Sequence, residues 1–258
     1  MTASETSAGR DALAITDNSP PVLSIVVPAF NEAARIGGSI QKIEAFMRRS
    51  RIACELIVVD DGSSDNTADV LKRTQVKDMR VVRNHVNHGK GYAVRQGVLA
   101  ASGKYVLFTD ADLSAPIEEA DKLLEVAVNE DVDIVIGSRA IDRRYIEKHQ
   151  SRARELGGVI FNLVVRLLLG LQLRDTQCGF KLFDRKKSRP VFEMQRTSGF
   201  GFDPELLFLA NRRGLKIRET PVRWSHAEGS KINLFRDSFG MFFELLRIRW
   251  NALIGRCS

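Results

Sequence analysis

The sequence predicts an α/β fold built on a mainly parallel, Rossmann-like sheet with helices on both faces. Three observations carry this. Short apolar runs alternate five times with helix-spaced stretches between residues 22 and 139, the mark of repeated strand–helix–strand units. Four of these runs stop at polar clusters, PAFNE (28–32), DDGSSD (60–65), DAD (110–112) and GSR (137–139). Parallel strands would bring all of them to one sheet edge, where open α/β sheets bind ligands. An apolar fraction of 44% with 28% charged residues supports a core of the chain's own.

Residues 1–20 lack periodicity and read as a disordered leader. Val22–Val27 is a first strand, broken by PAFNE, and Ile36–Arg49 is helical with Ile36, Ile40, Ile43 and Met47 on one face. Glu55–Val59 is a second strand, after which Ser64 or Asp65 caps a helix running to Lys72. Met79–Val82 is a third strand. The turn-rich NHVNHGKG (84–91) leads into a helix ending near Ala101. Tyr105–Thr109 is the central strand, Ile117–Asn129 a helix started by Pro116, and Val132–Ile136 a fifth strand. Beyond Arg139 an arginine-rich stretch (139–154) precedes an apolar helix, Leu156–Leu171. Its length of about 24 Å falls short of a bilayer's hydrocarbon core, so it is either buried or interfacial. Strands at Gly179–Asp184, Leu215–Ile217 and Val222–Trp224 and a helix at Pro204–Arg212 follow. The last stretch, Ile232–Ile254, gathers Phe235, Phe239, Phe242, Leu246 and Trp250 on one side, with Arg236, Glu244, Arg247 and Asn251 facing away. That pattern fits an interfacial anchor and a helix docked on its own sheet equally well.

A net charge of +7 favours anionic partners. Three cysteines, Cys54, Cys178 and Cys257, far apart and odd in number, argue against a disulfide framework. The N-terminus lacks a signal-peptide layout, and no run approaches the roughly 18 residues needed to span a membrane.

The chemistry centres on Asp110-Ala111-Asp112. In an extended chain, side chains at i and i+2 share a side, so two carboxylates converge at a strand end. Their repulsion is relieved by a cation, and hard oxygen ligands suit Mg²⁺ or Mn²⁺. Two solvated acids capping the next helix is the plainer alternative. Asp203 is a candidate base, although Asp203-Pro204-Glu205 equally reads as an N-cap, N1 proline and early acid. The four histidines lack metal-ligand spacing. Gly89 and Gly91 do not make a dinucleotide fingerprint, and Cys178 reads as a packed thiol.

The order VVPAFNE, VVDDGSSDNT, NHGKGYAVRQG, FTDADLS and GSR resembles the inverting glycosyltransferases of the GT-A fold that use nucleotide-activated sugars. RDTQCGFKLF (174–183), FGFDPELLFLA (200–210) and EGSK (228–231) are similar to the dolichyl-phosphate β-glucosyltransferase branch. The resemblance covers residues 22–250. It implies a catalytic domain over 21–230, with a nucleotide-binding half (21–139) and an acceptor half (140–230), followed by an amphipathic helix in 231–258. It implies that Pro28, Asn31 and Glu32 edge the nucleobase pocket, that Asp60 with Asp61 meets base or ribose, and that Lys90 lies beside the nucleotide. Asp110 and Asp112 match the divalent-metal motif. Arg139, with Arg152 or Arg154, matches the basic residues that meet an acceptor phosphate, and Ser230 and Lys231 fall in a closing loop. Leu113-Ser114 departs from the branch, which has Gly after its DAD, while the mannosyl branch has Gln at the position of Ser114.

The implied activity is metal-dependent transfer of a sugar, glucose from UDP-glucose first, to dolichyl or polyprenyl phosphate at the cytoplasmic face of a membrane. GDP-mannose as donor, or a sugar hydroxyl as acceptor, remain alternatives. A non-enzymatic basic protein docking on anionic membranes or nucleic acid is a third. The acidic strand ends argue against that last reading, because without a cation they would repel phosphates.

Overall fold

The computed structural model describes residues 20–74, 76–148, 151–226 and 234–255, the side chains of 152–154 and 234–239 excepted. The leader before Pro20, Ser230, Lys231, Cys257 and the side chains of Arg152 and Arg154 therefore lie outside the described residues.

The strands are β1 (Leu23–Ala29), β2 (Cys54–Asp61), β3 (Met79–Asn84), β4 (Tyr105–Thr109), β5 (Ile134–Ser138), β6 (Ile146–Lys148), β7 (Phe180–Asp184), β8 (Ile217–Pro221) and β9 (Trp224–Ser225). The helices are α1 (Ile36–Arg49), α2 (Thr67–Arg73), α3 (Lys90–Ala100), α4 (Glu119–Asn129), α5 (Arg152–Leu169), α6 (Arg185–Met194), α7 (Phe202–Arg212) and α8 (Leu234–Leu253). Seven strands form one sheet in the order β3-β2-β1-β4-β7-β5-β8, and β6 pairs with β9 separately.

β1 lies parallel to β2 and β4, β2 to β3, and β5 to β8, while β7 runs antiparallel to both β4 and β5. All the sheet's strands but β7 therefore point the same way, and the four polar clusters do share one edge. The reversed β7 could not be foreseen from alternation alone. It wedges a strand from the second half of the chain between β4 and β5, so one sheet crosses residue 139. Pro28 lacks an N–H, yet it sits in β1 without breaking the sheet. The β1–β4 ladder has already ended at Val26–Phe108, so Pro28 lies past the pairing on that side.

Both faces of the sheet are covered, which is why its strands read as continuous apolar runs. Val26, Ile57, Val59, Val106 and Phe108 face a core built with α3, α5, α6, α7 and α8. Leu23, Ile25, Val27, Leu56, Val58 and Leu107 face the other, built mainly with α1 and α4. Phe108 meets Phe202 edge-on at 5.8 Å directly beneath β4. Truncating either ring to alanine is expected to cost roughly 3–5 kcal/mol.

Several boundaries move. α2 has Asn66 at its N-cap, while the Asp65 carboxylate accepts from the Thr67 N–H at 2.9 Å. α7 begins after Gly201, so Asp203 lies in its first turn and is not its N-cap. The sequence reading missed α6, whose RKKSRP start resembles a charged loop, and the short β6.

Candidate active site

Two loops of the sheet edge are stitched together. Asn31, in the left-handed region at φ 55, donates its N–H to Ser63 Oγ at 2.9 Å, and its side-chain carbonyl accepts from Ser64 N–H at 2.8 Å. The Glu32 N–H donates to Thr67 Oγ1 at 2.7 Å. Asp60, at the end of β2, is fully buried. Its Oδ1 accepts from Ser63 N–H at 3.0 Å, whereas Oδ2 has no hydrogen-bond partner and lies 3.4 Å from Arg83 Nε.

Asp61 does something different from its neighbour. Its carboxylate accepts from Asn84 Nδ2 (2.7 Å), His88 N–H (3.0 Å) and Gly89 N–H (2.7 Å), so it shapes the loop that delivers Lys90. Lys90 opens α3 and places Nζ 2.6 Å from Asp110 Oδ1, with the rings of Phe108 and Phe200 at 5.4 and 6.0 Å. Burial works against the Lys90 charge, but Asp110 and Asp203 outweigh it and raise its pKa above the ordinary value.

The chain from Asp110 to Asp112 turns instead of following the extended strand expected. β4 stops at Thr109, and Leu113, at φ 48, turns the chain back so that its N–H donates to the Asp110 carbonyl at 3.1 Å. Asp112 accepts from Ser114 N–H at 3.0 Å and faces Arg35 Nη1 at 4.0 Å. Opposite Asp110 stands Gly179, where any side chain would overlap the Asp110 carboxylate. Among the described residues no three acidic, histidine or cysteine side chains cluster as a closed metal cage. Asp110, packed against Gly179, and Asp112 are hard oxygen donors of the kind that suit Mg²⁺ or Mn²⁺, which are often held by one or two carboxylates and completed by substrate phosphates.

Beneath this edge lies a sealed ion pair. Lys181 of β7 is 1% exposed and Asp203 4%. Lys181 Nζ lies 2.5 Å from Asp203 Oδ1 and donates to the Cys178 carbonyl at 2.6 Å. Burial pushes the Asp203 carboxyl above the usual carboxylate range, with Lys181 and Lys90 opposing it. Cys178 is packed as expected, and burial pushes its thiol up to about 12.

Arg139, just past β5, is clamped by Asp175. Its Nε and Nη2 donate to the carboxylate at 2.7 and 2.8 Å and its N–H at 3.0 Å, and the guanidinium lies over Trp224 at 5.4 Å. Burial opposes both charges, yet each partner stabilises the other: Asp175 is held below the ordinary carboxylate value and Arg139 above its own. Glu219 accepts from Ser138 Oγ, Asp175 N–H and Arg174 N–H, and Asn162 accepts from Thr176 Oγ1 at 2.9 Å. These anchors border a cleft of about 500 Å³ lined by Arg139, Arg143 and Arg174 together with Val159, Asn162, Leu163 and Arg166 of α5.

α5 buries Phe161, Val165 and Leu169 and exposes Leu156, Val159, Ile160, Leu163 and Leu167, the last at 75%. α8 behaves alike. Met241, Leu245 and Ile248 are buried, while Phe242, Phe243, Leu246, Trp250 and Leu253 are exposed, Trp250 at 62%. Of the aromatic side read from the sequence, Phe242, Leu246 and Trp250 thus face outward. Glu244, expected to face away, bonds to Gly201 N–H at 2.9 Å. No described helix is long and apolar enough to cross a membrane.

Sequence reasoning gave no role to Asp175, Gly179, Lys181, Glu219 or Glu244. Only Lys181 left a readable trace: a lysine inside the buried strand FKLF demands a buried counter-ion.

Residues 24–192 match the family description "Glycosyl transferase family 2". The dolichyl-phosphate beta-glucosyltransferase of Drosophila melanogaster is 36% identical, over 93% of this chain and 78% of that protein. The human enzyme of that name is 33% identical, over 93% and 79%. A solved structure of Mycobacterium tuberculosis glucosyl-3-phosphoglycerate synthase with Mn²⁺, UDP and phosphoglyceric acid superposes at a TM-score of 0.66. It is 24% identical, over 100% of this chain and 83% of that one, a likeness of fold. Sheet, strand-end clusters and family match agree: the chain belongs to glycosyltransferase family 2 and is a glycosyltransferase of GT-A fold.

Proposed function

We propose that the enzyme transfers glucose from UDP-glucose to dolichyl or polyprenyl phosphate at a membrane surface, with inversion at the anomeric carbon. The observation that carries the choice of acceptor is the sealed Lys181–Asp203 pair. A hydroxyl acceptor needs a general base within reach, and Asp203 is committed to Lys181 beneath the sheet edge. A lipid phosphate is mostly ionised at neutral pH and needs only orientation. The relatives named for dolichyl-phosphate glucosylation support the same acceptor.

In this reading the loops at 28–32 and 60–65 hold the uridine, with Asp60 near the end of β2 meeting base or ribose. Asp110 and Asp112 would hold Mg²⁺ or Mn²⁺, which supplies charge neutralisation for the departing nucleoside diphosphate. Lys90, already beside Asp110, adds a second positive charge to the same oxygens. Arg139 keeps Nη1 outside its two bonds to Asp175 and presents it with Arg143, Arg166 and Arg174 to the acceptor phosphate. The exposed apolar rows of α5 and α8 receive the prenyl chain and the lipid surface. Arg152, Arg154, Ser230 and Lys231, which lie outside the described residues or side chains, keep the acceptor-phosphate role that the resemblance implies.

The test is a panel of UDP- and GDP-sugars against a short polyprenyl phosphate, with and without Mn²⁺ or Mg²⁺. UDP-glucose with metal should give an organic-extractable, mild-acid-labile product. GDP-mannose outpacing UDP-glucose would overturn the choice of donor.

A further inference from the structure

The last helix of the chain reaches back towards the proposed nucleotide site. We propose that Glu244 of α8 is a positioning residue for donor binding, acting through the Thr197–Gly201 loop on Lys90. This rests on the reading of Lys90 as a diphosphate contact.

The Glu244 carboxylate accepts from Gly201 N–H at 2.9 Å. Gly201 is the N-cap of α7 and has no side chain to cap it, so an acid from another helix supplies the negative charge favoured at that end. The fit leaves no spare room. A Cβ at Gly199 would come within 2.7 Å of Glu244 Oε1, and one at Gly201 would overlap Oε2. The other end of the loop is held by Glu205, which accepts from Thr197 N–H at 2.7 Å.

Between these two acids the loop does its work. The Ser198 carbonyl accepts from Gly91 N–H at 2.8 Å and Tyr92 N–H at 3.3 Å, the first-turn donors of α3, whose own N-cap is Gly89. A Cβ at Gly89 would overlap that same carbonyl. Phe200 places its ring 6.0 Å from Lys90 Nζ. The loop therefore sets both the backbone from which Lys90 springs and one wall against which its side chain lies. Inner-face burial of Met241, Leu245 and Ile248 holds the Glu244 backbone in place. Without the Glu244 carboxylate, the Gly201 end is released and Lys90 loses its aim.

The experiment is calorimetric titration of UDP in the presence of Mn²⁺ into the wild-type chain, Glu244→Ala, Glu244→Gln and each of these on a Lys90→Met background, with thermal melts in parallel. Glu244→Ala should weaken UDP binding about tenfold, the scale of one lost charge-assisted hydrogen bond. Glu244→Gln, whose amide oxygen still accepts from Gly201, should restore most of it. On the Lys90→Met background the Ala effect should vanish, because both changes act through one group. Equal UDP affinity for wild type and Glu244→Ala, or an Ala effect undiminished without Lys90, overturns the inference alone. A wild type that does not bind UDP overturns the donor reading and this inference with it.

Discussion

At the edge assigned to the donor, loops from distant parts of the chain hold one another. Asn31 grips Ser63 and Ser64, Asp61 grips His88 and Gly89, and Ser198 grips Gly91 and Tyr92. Along α5 and α8 the picture reverses: a few anchors, Asp175, Asn162 and Glu219, shape an arginine-lined cleft, while the helices beside it turn rows of leucine, valine and aromatic residues to the outside. Cross-bonded polar loops suit a small, charged ligand whose position must be set in advance. An apolar rim around fixed cations suits a partner with one ionised end and a long greasy remainder. On the proposed reading, the difference teaches that one sheet would recognise its two substrates by different physics.

The contrast is broken most sharply by Asp112→Asn. Transfer should fall about a thousandfold or more, because charge on the leaving group is left uncompensated, while the melting temperature stays put. Full activity of this variant with Mn²⁺ present would remove the acidic pair from the account. Arg139→Lys should act only on the other side. Losing the fork that Asp175 clamps should raise the acceptor KM roughly tenfold and leave UDP affinity alone. An equal loss of UDP affinity would mean the two regions are not separable.

Smaller is the effect of Leu167→Glu paired with Trp250→Glu. Binding to anionic lipid vesicles should drop about tenfold or more, with UDP binding unchanged, and undiminished sedimentation with vesicles would sink the surface role. Least, and read as a melting temperature, is Asp175→Asn, which also unclamps Arg139. Arg139 holds the Asp175 carboxyl below its ordinary 3.8, so the pair's stabilisation is present above that value and lost as pH falls through the folded one. The variant should melt about 5 °C lower at neutral pH, and the gap should close on acidification. A gap that widened in acid would contradict the assigned charge state.

Much of the fold was legible because it is local. Apolar runs, turn residues and helix spacing are written within ten or so residues, and Tyr105–Thr109 was read to its boundaries. The strand-end clusters were readable for the same reason. What stayed hidden is long-range. Nothing near Phe180–Asp184 announces that β7 reverses between β4 and β5. Asp61 looked like Asp60 until its partners at 84–89 were in place. Glu244 looked like one more surface acid because its partner, Gly201, is 43 residues away. The amphipathic reading of α8 found the aromatic side but not the second apolar side: Met241, Leu245 and Ile248 are docked while Phe242, Leu246 and Trp250 are bare.

The most direct test compares initial rates of glucosyl transfer from UDP-glucose to a short polyprenyl phosphate and to the matching prenyl alcohol, with Mn²⁺ present. With Asp203 locked to Lys181 and the cleft arginines orienting the acceptor phosphate as proposed, the phosphate should react at least about a thousandfold faster. Comparable rates with the alcohol would mean a base operates here, and that the sealed pair has been misread.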